Sequence, residues 1–143
     1  MQTIDTTFKA QQAKSISLRN STAKERRDKL KLLLKNFLEM ENDVLAALSS
    51  DLGKSKTEAL LAEIYGVKAE AAFAIKNLGR WMKTKRVASP LAISFTKSWV
   101  KPEPKGSVLI ISPWNYPIML CLNPLIAAIA SGNTAVIKPS ELT

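Results

Sequence analysis

The chain has 143 residues, and 21 Lys and Arg against 12 Asp and Glu give it a formal net charge of +9. A domain usually takes about 100–200 residues, so the chain is one small domain or part of a larger one. The absence of histidine excludes a Ser-His-Asp triad and an HExxH metal site. The single cysteine, Cys121, excludes an internal disulfide and a Cys-rich zinc site.

Charge is unevenly distributed along the chain. Residues 1–105 hold 20 of the basic and 11 of the acidic residues, whereas 106–143 hold only Lys138 and Glu141 and are mostly apolar. This predicts a solvated segment followed by a buried one. The N-terminus lacks a secretory pattern, and the apolar stretch 118–130 is shorter than the roughly 20 residues that span a bilayer. We therefore expect a cytoplasmic protein with no membrane segment.

The first half of the chain has the periodicity of helices. A weak helix is predicted over 6–19, and two capping boxes, 22–25 and 55–58, each open a longer one. The first long helix is expected to stop at Gly53, which is a typical C-cap. Apolar residues recur in it at 3–4 residue spacing, namely Leu30, Leu33, Leu34, Phe37, Leu38, Val44, Leu45 and Leu48. The buried stripe of the second is predicted to be Leu60, Leu61, Ile64, Val67, Ala71, Phe73, Ile75, Leu78 and Met82.

The pattern changes to that of an α/β sheet after a Pro-rich connection. Polar and apolar residues alternate over 94–100, which predicts a half-exposed strand. Residues 107–111 form a continuous β-rich run typical of a strand covered on both faces. A helix is predicted from Tyr116-Pro117 to Ser131, followed by a second buried strand at 134–137. Strand, helix and strand form one βαβ unit, which we expect to be parallel.

Polar residues follow both strands of this unit. Because the carboxyl ends of parallel strands meet at one sheet edge, these residues are candidates for ligand binding. Glu141 and Lys138 suit the hydroxyls of an adenosine ribose or a 2′-phosphate, although a plain surface ion pair is the alternative. No G-x-G-x-x-G follows the first strand, so a standard Rossmann pyrophosphate site is not supported. The candidates are Ser112, Trp114, Asn115, Lys138, Ser140 and Glu141.

Asn115 precedes the helix of the βαβ unit. Its position alone favours an N-cap, since Asn is preferred there. The functional alternative is a side-chain amide directed at a developing oxyanion.

Two sequence blocks, ISPWNYP and GNTAVIKPSE, resemble the start of the cofactor domain of the aldehyde dehydrogenase superfamily. Asp51–Ser55, DLGKS, resembles the same family more loosely, and the placement of the blocks resembles the short class 3 or fatty-aldehyde branch. The resemblance implies an α/β fold in which N-terminal helices precede the first βαβ unit of a Rossmann-like NAD(P)-binding domain. It divides the chain into a helical part (1–83), a linker with an oligomerisation-arm strand (84–104) and the start of the NAD(P)-binding domain (105–143).

The resemblance also implies roles for individual residues. Asn115 corresponds to the family's oxyanion-hole Asn, and this outweighs the N-cap interpretation. Tyr116 and Leu120 fall where the family lines its aldehyde tunnel, although ordinary helix packing is the alternative. The implied cofactor-binding residues, for NAD or NADP, are Ser112, Pro113, Trp114, Lys138, Ser140 and Glu141.

The resemblance implies oxidation of an aldehyde to a carboxylic acid through a Cys thiohemiacetal, with a Glu general base. The family's motifs for both residues come later than residue 143, and Cys121 is predicted to be structural because it lies in an apolar helix with no flanking base. The full-length protein is expected to be a homodimer or larger homo-oligomer that takes an aldehyde substrate and no metal.

Two other functions fit the helical part. One is a non-catalytic helical interaction module derived from the same family. The other is RNA binding by the basic residues of 24–35, but the interspersed acidic residues and the lack of aromatic residues favour a solvated helix face. We therefore expect no nucleic-acid partner.

The chain by itself is predicted to be inactive as a dehydrogenase, because it contains neither the nucleophile motif nor the base motif. Purified chain mixed with NAD⁺ and a medium-chain aldehyde should give no rise in NADH absorbance. A steady rise that scales with chain concentration would contradict the prediction.

Overall fold

The computed structural model describes residues 3–143 as six α-helices and four short strands. The helices are α1 (Ile4–Leu18), α2 (Ala23–Glu39), α3 (Glu41–Leu52), α4 (Lys56–Glu58), α5 (Tyr65–Trp81) and α6 (Pro117–Ser131). A π-helical segment, Ala59–Ile64, joins α4 to α5. The strands are β1 (Lys85–Val87), β2 (Ser98–Val100), β3 (Ser107–Ile111) and β4 (Thr134–Lys138), and a 3₁₀ turn covers Leu91–Ile93.

The helix starts follow the predicted caps. Thr22 accepts from the Glu25 amide at 3.2 Å, and the Glu25 carboxylate accepts from the Thr22 amide at 2.7 Å. This reciprocal pair is the predicted capping box of α2. At the second predicted box, Ser55 accepts from the Glu58 amide at 3.2 Å.

The first long helix is broken, contrary to the prediction of one continuous helix up to Gly53. Met40, with φ −93° and ψ 8°, separates α2 from α3. Its backbone N–H still reaches the carbonyls of Asn36 and Phe37, which gives α2 a tightened last turn. The apolar spacing continues across the break, so periodicity alone does not reveal it.

The predicted stripe of the second long helix is partly wrong. Leu61 is 65% exposed and Phe73 is 54% exposed, and Phe73 packs on Trp81 at the surface. The π-helical segment adds a residue to one turn, which changes the face turned inward around Leu61. Phe73 instead lies in regular α-helix, off the 3–4-residue spacing of the buried side chains. In α5 the buried residues are Val67, Ala71, Ala74 and Leu78.

The hydrophobic core lies where α2, α5 and α6 meet. Its fully buried members include Leu30 from α2, Leu78 from α5 and Ile126 from α6. Burying an aliphatic side chain of this size contributes about 1.5–3 kcal/mol, so the contact of α6 with the helical layer is a principal source of stability.

A two-stranded antiparallel ribbon projects between the helices and the βαβ unit. Lys85 pairs with Val100, and Val87 pairs with Ser98. The predicted strand over 94–100 is shorter than expected, because the chain is still turning at residues 94–96, directly after the 3₁₀ turn. Strand β1 was not predicted, because the basic residues at 83–86 indicated only the end of the helical region.

The βαβ unit has the predicted parallel pairing, in register from Ser107 opposite Thr134 to Ile111 opposite Lys138. Helix α6 joins the two strands and packs on both. The prediction of strands covered on both faces is wrong for β3: Ile110 is buried, whereas Leu109 is 63% and Ile111 69% exposed. Within residues 3–143, β4 pairs only with β3, so its other edge is open.

Gly53 and Gly79 give a matched pair of stability tests. Gly53 ends α3 with φ +63° and has open space where a Cβ would lie, so Gly53→Ala should lower the free energy of unfolding by about 1 kcal/mol through backbone strain alone. Gly79 lies inside α5 with only an ordinary contact, so Gly79→Ala should raise that free energy by up to about 1 kcal/mol. Urea unfolding of both variants measures the difference; equal stabilities would contradict the assignment.

Candidate functional site

The carboxyl ends of β3 and β4 meet at one sheet edge, as predicted. The last paired residues are Ile111 and Lys138, and the backbone N–H of Ser112 donates to the Lys138 carbonyl at 3.2 Å. Ser112, the first residue after β3, therefore lies beside Lys138, the last residue of β4.

Lys138, the last residue of β4, forms a close ion pair with Glu141, which lies just beyond the strand. Both side chains are largely exposed, and the Ser140 hydroxyl accepts from the Leu142 amide at 3.1 Å, which closes a tight turn. The hydrogen bond from Lys138 holds the pKa of the Glu141 carboxyl below its usual value, with a smaller contribution from a backbone hydrogen bond. Glu141 is therefore an ionised acceptor at neutral pH, and Lys138 is a donor beside it.

Ser112 is buried, and its hydroxyl has no hydrogen-bond partner among the residues that the structure describes. A buried hydroxyl without a hydrogen-bond partner lowers the stability of the fold. The location of the Ser112 hydroxyl at the end of β3 suggests that a ligand or another group supplies the missing hydrogen bond. Pro113 and Trp114, which follow it, are exposed.

Asn115 is exposed and forms no hydrogen bond with the rest of residues 3–143. The interpretation of Asn115 as the N-cap is wrong, because Tyr116 occupies that position, with φ −132° and ψ 68°. Pro117 takes the first helical position, where its missing N–H costs nothing. The Asn115 amide is consequently free to donate to a ligand.

The start of α6 is capped by a distant carboxylate that the sequence analysis missed. Oε2 of Glu63 accepts from the backbone N–H groups of Ile118, at 3.1 Å, and Met119, at 2.9 Å. Oε1 of Glu63 accepts from Lys54 Nζ at 2.5 Å, and both side chains are buried. The ammonium of Lys54 also lies 4.0 Å from the centre of the Tyr116 ring. Two features of the sequence could have indicated this contact, namely a lone Glu among apolar residues and the lysine of the DLGKS motif.

Tyr116 and Leu120, the predicted tunnel residues, are both partly buried. Cys121 is also partly buried and lines an apolar groove of about 440 Å³ with side chains of α2 and α3 such as Phe37 and Val44. Among the described residues there is no cluster of three His, Cys, Asp or Glu that could hold a metal. In the same part of the chain, no helix is long and apolar enough to span a bilayer.

A sequence profile of the Aldehyde dehydrogenase family matches residues 2–143. The chain belongs to the aldehyde dehydrogenase family. It is 51% identical over 136 residues to the 4,4'-diaponeurosporen-aldehyde dehydrogenase of Staphylococcus aureus (strain NCTC 8325 / PS 47), which covers 95% of this chain and 28% of that protein. It is 41% identical over 128 residues to aldehyde dehydrogenase family 3 member A2 of Macaca fascicularis, which covers 90% of this chain and 26% of that protein.

Solved structures of the family have the same fold over this length. The substrate-bound state of Staphylococcus aureus AldH superposes with a TM-score of 0.92 at 45% identity, covering 99% of this chain and 31% of that one. Aldehyde dehydrogenase 21 of Physcomitrella patens, in complex with the reaction product succinate, gives a TM-score of 0.86 at 26% identity, covering 98% and 29%. The chain thus spans less than a third of the length of these family members.

The Glu141 carboxyl should titrate below its ordinary range, and Lys138→Met should return its pKa towards that range. Because the pKa is lowered in the folded chain, the ion pair stabilises the fold above the unfolded pKa. That contribution is lost as the pH falls through the folded pKa. Carboxyl-carbon NMR titration measures the shift, with Lys24→Met on the distant Lys24–Asp28 pair as the control. An unchanged Glu141 titration in Lys138→Met would contradict the assigned cause.

Proposed function

We propose that the chain forms the N-terminal portion of an NAD(P)-dependent aldehyde dehydrogenase that oxidises an aldehyde to a carboxylic acid. The observation that carries the proposal is the free amide of Asn115, three residues after Ser112, at the edge where the two strands end. Family membership supports it, because the matching blocks contain these residues.

Asn115 acts as the oxyanion donor in this proposal. When a nucleophile adds to an aldehyde carbonyl, negative charge develops on the carbonyl oxygen, and a fixed N–H donor stabilises it. The helix N-terminus, which often binds anions, has its Ile118 and Met119 amides occupied by Glu63. The side-chain amide of Asn115 is a donor that remains available at this turn.

The Cys nucleophile of the thiohemiacetal and the Glu base are proposed to come from the remainder of the enzyme. Cys121 is unsuited to the role because it lines the mostly apolar groove near Phe37, and none of the described residues lining that groove is a basic one that could stabilise a thiolate. We assign it to packing.

The residues at the strand ends suit a dinucleotide. Ionised Glu141 accepts from ribose hydroxyls and Lys138 donates to them or to a 2′-phosphate, which leaves NAD and NADP as alternatives. Ser140 supports this turn, while Ser112, Pro113 and Trp114 would line the nicotinamide side, where the unpartnered Ser112 hydroxyl supplies a donor. When bound, NAD(P)⁺ supplies the hydride acceptor.

Other parts of the chain take supporting roles in the proposal. Tyr116 and Leu120 line the aldehyde tunnel at the start of α6. The ribbon within 84–104 is proposed to be an oligomerisation arm of a homodimer or larger assembly, because Phe95, Trp99 and Val100 are exposed apolar side chains. Segments 1–83 and 105–143 form the helical part and the beginning of the Rossmann-like NAD(P)-binding domain. Cytoplasmic location stays a prediction.

Asn115→Ala in the full-length enzyme should lower kcat by about 10²–10³-fold, because one oxyanion donor is removed. The KM for the aldehyde and the Kd for the coenzyme should change little, and steady-state kinetics with binding titrations separate these effects. Asn20→Ala, at an exposed position between α1 and α2, is the matched control and should retain kcat. Equal activity of Asn115→Ala and the parent enzyme would overturn the oxyanion assignment.

A further inference from the structure

Glu63 is a fully buried carboxylate with a complete set of partners. It accepts from Lys54 Nζ at 2.5 Å and from the amides of Ile118 and Met119 at 3.1 and 2.9 Å. A buried ion pair is weak evidence for a role in stability, because its desolvation cost can offset its attraction and an apolar pair often serves as well. The pair does, however, contact the neighbouring first turn of α6.

Two unusual backbone features bring these side chains together. Glu63 and Ile64, two adjacent residues of the π-helical segment, are both buried. π-Helical turns are rare and often occur at functional sites. Gly53, in the left-handed region, reverses the chain after α3, and the Lys54 amide then donates to the Leu48 carbonyl at 3.3 Å. The DLGKS motif thus delivers the Lys54 ammonium to Glu63.

The pair contacts the turn that carries the oxyanion donor. Tyr116 supplies no side-chain cap to α6 within the described residues, so Glu63 provides the capping instead. The Lys54 ammonium lies 4.0 Å from the Tyr116 ring centre, where a desolvated cation–π contact is favourable. Asn115 directly precedes Tyr116, so the backbone that this pair holds sets the position from which the Asn115 side chain extends.

We propose that Lys54 and Glu63 are positioning residues for the reaction. They fix the first turn of α6 and the Tyr116 ring, and thereby aim the Asn115 amide. Neither touches the substrate. The inference rests on the proposed function for the role of Asn115.

The test variant is Lys54→Met/Glu63→Gln in the full-length enzyme. It preserves the shape of both side chains and leaves no unpaired buried charge, so the fold should be retained. The neutral amide oxygen is a weaker acceptor than a carboxylate, so hydrogen exchange of the Ile118 and Met119 amides should quicken by about tenfold. Because misplacement of a reacting group is costly, kcat should fall by about tenfold or more with little change in KM.

Arg26→Met is the matched control at the other end of α6. The buried Arg26 guanidinium donates to the Ala130 carbonyl at 3.2 Å, about 15 Å or more along the helix from Met119. Its loss should destabilise the protein while leaving kcat and the exchange of the Ile118 and Met119 amides unchanged. A general effect of lower stability would instead reduce kcat in this variant too, and that result would overturn the positioning role.

The two readouts separate the inference from the function on which it rests. Unchanged exchange at Ile118 and Met119 in the double variant overturns the inference whatever the activity. Parent-like kcat in the double variant, with a low kcat in Asn115→Ala, also overturns it. If Asn115→Ala is fully active, the proposed function fails, and amide exchange alone decides whether the pair fixes this turn.

Discussion

Helix α6 is held at both ends by buried charged side chains from the helical layer. The Glu63 carboxylate accepts hydrogen bonds from amides in the first turn of α6, and the Arg26 guanidinium donates to a carbonyl in its last turn. Each charge has the sign that the helix dipole favours at that end. Because α6 connects the two parallel strands, this clamp sets the position of the βαβ unit against the α2–α5 layer. Gly132 admits the guanidinium, which lies within 2.4 Å of where a Cβ would be.

The charged groups that hold the fold are different from the polar groups that are available to a ligand. Glu63, Lys54 and Arg26 are buried and fully engaged, whereas Asn115 and Glu141 are exposed at the edge where the strands end. Some of the basic side chains of the helical segment therefore form hydrogen bonds inside the protein. Arg27 is a further case, since its Nε donates to the Ile75 carbonyl at 3.2 Å. The four lysines of α2 remain exposed, which agrees with the predicted solvated helix face.

Local patterns predicted the elements that depend on local chemistry. The capping box at Thr22, the glycine stop after α3 and the parallel βαβ unit were confirmed, because caps, left-handed glycines and β-rich runs act over a few residues. The strand ends also identified Lys138 and Glu141 as neighbours. Fold and family were therefore accessible from the sequence.

The features that failed depend on contacts distant in sequence. The π-helical turn changes the buried face around Leu61, and Phe73 lies off the buried stripe of α5, so both were wrongly placed in the core. Capping of α6 by Glu63 joins residues 55 and 56 positions apart, and no local pattern specifies it. The apolar run 107–111 predicted that Leu109 would be covered on both faces of the sheet. Within residues 3–143 its side chain is exposed.

A crystal structure of the full-length enzyme with NAD⁺ bound tests the central claim most directly. The account predicts that the adenosine ribose hydroxyls lie within hydrogen-bond distance of Lys138 Nζ and the Glu141 carboxylate. It also predicts that the Asn115 amide faces the reactive cysteine across the cleft. An adenosine ribose bound elsewhere, with Lys138 and Glu141 still paired only to each other in solvent, would contradict it.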